Sequence, residues 1–183
     1  MTHYGGKDLA RSFRQVRNNT IQAAEDIPED KYGVQASSNT RSIGATLVHI
    51  AAATGIQDYL QRNKIADLKD VNFMELFQKV GAEEAKPRTK VETIAYLKSQ
   101  GEAFASFLEG LADDFLAEPV AMPSGAEPAT KTRLEMLLSP KEHEMHHRGQ
   151  LMQLQRMIGL VPHLTRQMQE RMAQHTPAAQ AAS

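Results

Sequence analysis

The 183-residue chain has no cysteine and no tryptophan, and aromatic residues make up only 5% of it. Without cysteine there are no disulfides and no protein thiolate to act as a nucleophile, and any metal must be held by nitrogen and oxygen. Scarce aromatics beside nine methionines suit helix-on-helix packing better than a sheet, where aromatic and β-branched side chains gather. An excess of one charge is lacking too: 21 basic and 22 acidic residues leave a net charge of −1, with no run of Lys or Arg. This argues against nucleic acid or an anionic membrane as the main partner and leaves a small-molecule substrate as the expectation. No stretch approaches the ~20 consecutive apolar residues of a membrane span, and the opening MTHYGGKDLARSF has no apolar signal-peptide centre. The expectation is a soluble cytoplasmic protein with one well-buried domain.

What the chain does have is histidine in a pattern. Residues 139–159, SPKEHEMHHRGQLMQLQRMIG, hold three of its seven histidines. The stretch reads as helix. Ser139 suits an N-cap, Pro140 fits the first helical position and Glu142 completes a capping box, while Gly159 and then Pro162 provide the stop. His143 and His147 stand four residues apart, which on a helix puts both imidazoles on one face. His143, His147, Gln150, Leu151, Leu154 and Ile158 follow the spacing of one buried stripe. Met145 and Met152 lie opposite it, and a helix apolar on two sides predicts a subunit contact there.

Earlier in the chain, a first helix is expected over residues 8–26 with Leu9, Phe13, Val16, Ile21 and Ala24 inward, ended by Pro28. A second, about 41–63, carries Ile43, Leu47, Ile50 and Thr54 on one stripe, with small residues at its middle for close helix approach. Asn72 and Glu75 cap a short helix with Phe73, Leu76 and Phe77 inward, and GAEEAKPRTK after it reads as a solvated turn. Thr89 with Glu92 opens another long helix to about residue 112, with Val91 among its inward residues. The Pro- and Gly-containing segment 113–131 reads as a long loop. Thr132 and Glu135 cap a further piece through Leu138 that either runs into the histidine helix at Pro140 or stops there. In the tail, Leu164, Met168 and Met172 share one side, and residues 176–183 read as disordered. Nothing reads as a strand pair, although the loops leave room for short extended pieces. The class is all-α: a four-helix bundle that is not simply up-down-up-down, with residues 1–162 as the bundle domain and 163–183 as a helical or disordered tail.

His49, between Val48 and Ile50 on the second helix, needs partners for its nitrogens in an apolar setting. As a third nitrogen from a facing helix it completes, with His143 and His147, half a coordination sphere. His146 lies about 60° around the helix from His143 and reads as a supporting or surface residue. His3, His163 and His175, in termini or tail, need no function. A competing pattern uses the same letters: His143, Glu144 and His147 spell H-E-x-x-H, the helix of zinc peptidases in which the glutamate is the base. Its extended form needs Gly and His where this chain has Gln150 and Gln153. Glu170, as a third ligand, would lie beyond the helix stop, and no strand is available to a peptide substrate. Glu144 or Glu142 remains a candidate base or imidazole-orienting group, set against the plainer reading of a solvated carboxylate at a helix start. Arg148 and Gln150 read as structural or subunit-contact residues and Gly149 as a site of close helix approach.

With LVHIAAATGIQDYL on the second helix and HEMHHRGQLMQLQRMIGL on the last long one, the chain resembles the DinB/YfiT-like metalloprotein superfamily. The H-x-x-x-H-R-G-Q run is its most specific part. The resemblance implies a four-helix bundle in up-down-down-up order, a divalent metal on His49, His143 and His147, and frequently a homodimer. It also implies chemistry like that of better-understood relatives, thiol-dependent transferases that use bacillithiol or mycothiol and a maleylpyruvate isomerase. Three neutral imidazoles leave an open coordination position, where a thiol or water loses its proton more readily. The expected function is a metal-dependent S-transferase that takes a low-molecular-weight thiol from solution. A metal-dependent hydrolase and a non-catalytic metal-binding protein are the alternatives. Zinc, nickel and iron all suit the ligand set.

Overall fold

Capping chemistry sets the ends of the long helices in the computed structural model, which describes residues 4–175. His3 and the expected disorder of residues 176–183 lie outside the described residues. Helix α1 (Gly6–Asp26) opens with the Gly5 N–H donating to the Asp8 carboxylate, and it ends where Ile27 turns extended ahead of Pro28. Helix α2 (Ile43–Arg62) starts on Ser42, whose hydroxyl accepts the Ala45 N–H. Asn72 caps α3 (Phe73–Glu84) and the reciprocal Thr89–Glu92 pair caps α4 (Lys90–Glu109). Then come a short α5 (Asp113–Ala117), an antiparallel pair β1 (Pro119–Ala121) and β2 (Thr130–Thr132), the long α6 (Arg133–Met157) and α7 (His163–His175).

Cross-chain contacts give the order of the four long helices. On α1 and α4, Arg14 meets Glu109 while Glu25 meets Lys98, so the two are antiparallel. On α1 and α6, Ser12 meets Lys141 and Val16 meets Arg148, so these run parallel. On α2 and α6, His49 meets His143 while Gln61 meets Arg133, again antiparallel. The order is therefore up-down-down-up, with α1 and α2 on one diagonal and α4 and α6 on the other. Two consecutive bundle helices that cross a diagonal need a long connection, which explains the length of segment 27–42, whose only helical piece is a single 3-10 turn at Glu29–Lys31.

Several local readings change. Helix α6 has its N-cap at Thr132, seven residues before Ser139, with the Thr132–Glu135 capping box, and runs through Pro140. Ser139 therefore caps nothing. The proline removes only one intrahelical hydrogen bond, and its ring is buried against the bundle. The most buried line of α6 passes through Leu137, Pro140, Glu144 and Leu151, so His143 and His147 sit at its edge, half-buried, and Gln150 is exposed. Helix α3 extends through Glu84 into the segment that reads as a solvated turn, with Phe77 exposed; Val91 on α4 is exposed as well. Residues 113–131 contain α5 and β1 rather than open loop, and Val120 of β1 is fully buried. Nothing lies near a Cβ placed on Gly149 or Gly55; close approaches are at Gly6, where a Cβ would stand 2.5 Å from the Leu108 carbonyl oxygen, and at Gly101, where it would stand 2.7 Å from Arg17 Cγ.

Two apolar layers fill the bundle, one around Ile21, Ile43, Leu47, Leu97 and Leu151, the other around Leu9, Phe13, Phe104, Leu108 and Leu137. Between Phe13 and Ile21 on α1 stands Arg17, and between Leu137 and Leu151 on α6 stands Glu144. Their ion pair, 2.9 Å long with side chains 3% and 1% exposed, lies where the layers meet. No helix among the described residues is long and apolar enough to cross a membrane.

Candidate metal centre

His49 leaves α2 in its second turn, and His143 and His147 leave α6 one turn apart; antiparallel packing of the two helices brings the three rings together. His143 Nε2 lies 3.1 Å from His49 Nε2 and 3.1 Å from His147 Nε2. One ligating atom from each ring falls within 4.8 Å of the others. The rings meet edge to face, with no stacked pair.

The outer nitrogens decide which way the lone pairs point. His49 Nδ1 is 2.6 Å from Glu84 Oε1 at the end of α3, and a carboxylate there accepts an Nδ1–H. His147 Nδ1 donates in the same way to Gln150 Oε1, 2.8 Å away. With Nδ1 carrying the proton on both rings, their Nε2 atoms are bare acceptors aimed at His143 Nε2. A single Nε2–H on His143 cannot serve both with good geometry, whereas one cation serves all three lone pairs. Two nitrogens at ordinary zinc distances and tetrahedral angles stand roughly 3.3 Å apart, close to the observed spacing. The residues present therefore fit a divalent metal, and the carboxylate behind His49 is the support that metal-ligating imidazoles ordinarily have.

Burial, reinforced by the neighbouring rings of His147 and His49, pushes His143 down to about 4. Burial also lowers His147. Both rings are thus neutral at physiological pH, the form that binds a metal.

The remaining candidates separate. Glu144 is neither a solvated carboxylate nor a free base. It is 1% exposed, both its oxygens lie 3.0 Å from Arg17 Nε, and Arg17 also donates to the carbonyls of Leu97 and Ile50. One residue beyond His143 on a helix points about 100° away, into the bundle rather than toward the groove. Glu142 is exposed. His146 is exposed beside Gln150, His163 is buried near Asn19, and His175 lies at the end of α7. Arg148 donates to the Val16 carbonyl, a structural contact.

Two residues at the site escaped the sequence reading. Glu84 sits 35 positions from the histidine it orients, and nothing local distinguishes it from Glu83. Arg41, just ahead of α2, faces Glu84 Oε2 at 3.6 Å. Cavities flank the rings. One of about 780 Å3 lies between the 36–41 segment and the His147 face of α6. Another of about 430 Å3 lies on the His49 and His143 side beneath α3. Arg41 lines both.

Fold and site together define a class: an up-down-down-up four-helix bundle with three histidines from two helices gathered at a groove. Residues 1–178 match the DinB family profile, and the chain belongs to the DinB family. Among solved structures it is similar to YfiT from Bacillus subtilis, a probable metal-dependent hydrolase with an unusual four-helix bundle topology. The identity there is 14%, over 87% of this chain and 91% of that one, with a TM-score of 0.65. A DinB-like protein from Bacillus cereus aligns at 16% identity over 85% and 93%, TM-score 0.64. A DinB-like protein from Bacillus subtilis aligns at 21% over 82% and 92%, TM-score 0.61. At these identities the likeness shows the fold. No curated protein matches the chain significantly.

Proposed function

We propose that the protein is a divalent-metal-dependent enzyme in which His49, His143 and His147 hold the metal, and that it transfers a small thiol from solution to an electrophilic small molecule. The observation that carries this reading is a cavity on each side of the three rings: two compartments meeting at one centre suit two reactants. A divalent cation in such a site supplies Lewis acidity and lowers the pKa of a thiol or water at its open position. The chain's own part is to hold three neutral imidazoles in place. Glu84 fixes the tautomer of His49 and Gln150 that of His147, while Leu154 and Met157 give the larger cavity its apolar wall. Among the described residues no fourth histidine or carboxylate joins the group, which favours an open site over a closed structural clip. Zinc, nickel and iron all suit three nitrogens.

The likeness to YfiT favours a second reading, hydrolysis with water in place of the thiol. Elemental analysis of protein purified without added metal should find about one equivalent, lost in His143→Ala. Thiol-consumption and hydrolysis assays against a panel of electrophilic small molecules then divide the two readings. Turnover that needs added thiol supports transfer, and equal turnover without thiol refutes it. A full equivalent of metal in His143→Ala refutes the site.

A further inference from the structure

The larger cavity has an unbalanced lining. Besides His147 its polar walls are hydroxyls and amides from Ser38, Asn39, Thr40, Thr46, Gln150 and Gln153; among the described residues no carboxylate lines it, and Arg41 is the one permanent charge. The Arg41 side chain is 47% exposed. Its Nε lies 3.6 Å from Glu84 Oε2, too long for a hydrogen bond, and no described residue accepts a hydrogen bond from it. Nη1 and Nη2 are therefore left with their donors free, beside a centre that a bound cation makes more positive still. A planar fork of this kind matches a carboxylate, which it grips with two parallel hydrogen bonds. Glu84 links the two halves of the arrangement, since one of its oxygens holds His49 and the other faces Arg41.

From this we propose that Arg41 is a specificity residue, and that the thiol entering the larger cavity carries a carboxylate, which Arg41 holds while the sulfur lies at the three histidines. The assignment rests on the metal reading above and adds the charge of the substrate to it.

The test uses full-length protein loaded with cobalt, whose visible and near-ultraviolet spectrum reports both metal uptake and thiolate ligation. The probes are 3-mercaptopropionate and its neutral amide, titrated separately. The acid should bind about tenfold more tightly than the amide, the effect of one charge-assisted contact at a half-exposed site. In Arg41→Gln the preference should collapse to within about twofold through weaker binding of the acid alone, and Arg41→Lys should retain part of it. If the wild-type protein binds acid and amide equally, or if Arg41→Gln keeps the preference, the assignment is overturned while the metal site stands. Failure of the wild-type protein to take up cobalt overturns the metal site, and this assignment with it.

Discussion

Replacing Glu144 by leucine separates its two conceivable roles. The carboxylate is 1% exposed and pairs with an Arg17 that is 3% exposed; removing it strands a buried guanidinium, which costs about 3–5 kcal/mol. Against the 5–15 kcal/mol that holds a typical domain together, that is a large fraction, equivalent to roughly 6–20 °C in Tm for a chain of this size. The two carbonyls that Arg17 also contacts, Leu97 and Ile50, lie inside helices where backbone N–H groups serve them. Adding Arg17→Met to Glu144→Leu should therefore recover most of the loss, because an apolar pair of similar volume replaces a buried ion pair at little or no cost. Urea denaturation of the four proteins, in metal-free buffer, closes a double-mutant cycle with a coupling of about 2 kcal/mol or more. Metal affinity should fall in Glu144→Leu as well, since Glu144 adjoins His143 and the Ile50 carbonyl adjoins His49, so one guanidinium sets the spacing of both ligand-bearing helices. A Glu144→Leu protein of unchanged stability and metal content but without turnover would refute this reasoning and restore Glu144 as a catalytic base.

Other consequences are measurable. Glu84→Gln, which leaves His49 with a weaker acceptor, should lower metal affinity about 10–100-fold with little change in metal-free stability, as titration against a chromophoric chelator would show. Gly101→Ala should destabilise by about 1–3 kcal/mol, because the new methyl would stand 2.7 Å from Cγ and 2.9 Å from Nη1 of an Arg17 that is pinned at its far end; an unchanged urea midpoint counts against it. His143 titrates near 4 in the fold and His147 is also lowered, against about 6.5 in the unfolded chain. The unfolded state therefore binds more protons in that interval, and the stability of metal-free protein should be full above pH 6.5 and decline as pH falls toward 4. The slope should be shallower in His143→Gln, and identical slopes would disprove the linkage. A homodimer on the exposed Met145 and the partly exposed Met152 should sediment at twice the chain mass and revert to monomer in Met145→Glu; a wild-type monomer ends that reading.

How much of this was legible in the residues depends on range. The caps at Asn72, Thr89 and Thr132, the glycine stop at Gly159 and the His143/His147 pair are all written within four or so positions of one another, where helix geometry alone fixes what meets what. Even the Arg17 position had a trace: it stands four residues after Phe13 and four before Ile21, on the buried stripe, though a charge there reads as exposed by composition. Ser139 misled because a good capping box and a first-turn proline carry no information about a stronger box seven residues upstream.

The sequence by itself determined the helical class, the absence of a protein thiol, the three candidate histidines and the one-face spacing of two of them on α6. Only the tertiary structure decided that α6 turns Glu144, not its histidines, into the core, that Glu84 and Arg41 attend the site, and that the rings of two helices meet at 3.1 Å. The reason is physical: these pairings span 35 to 127 residues of chain, and what brings such partners together is the packing of whole helix faces rather than any local preference.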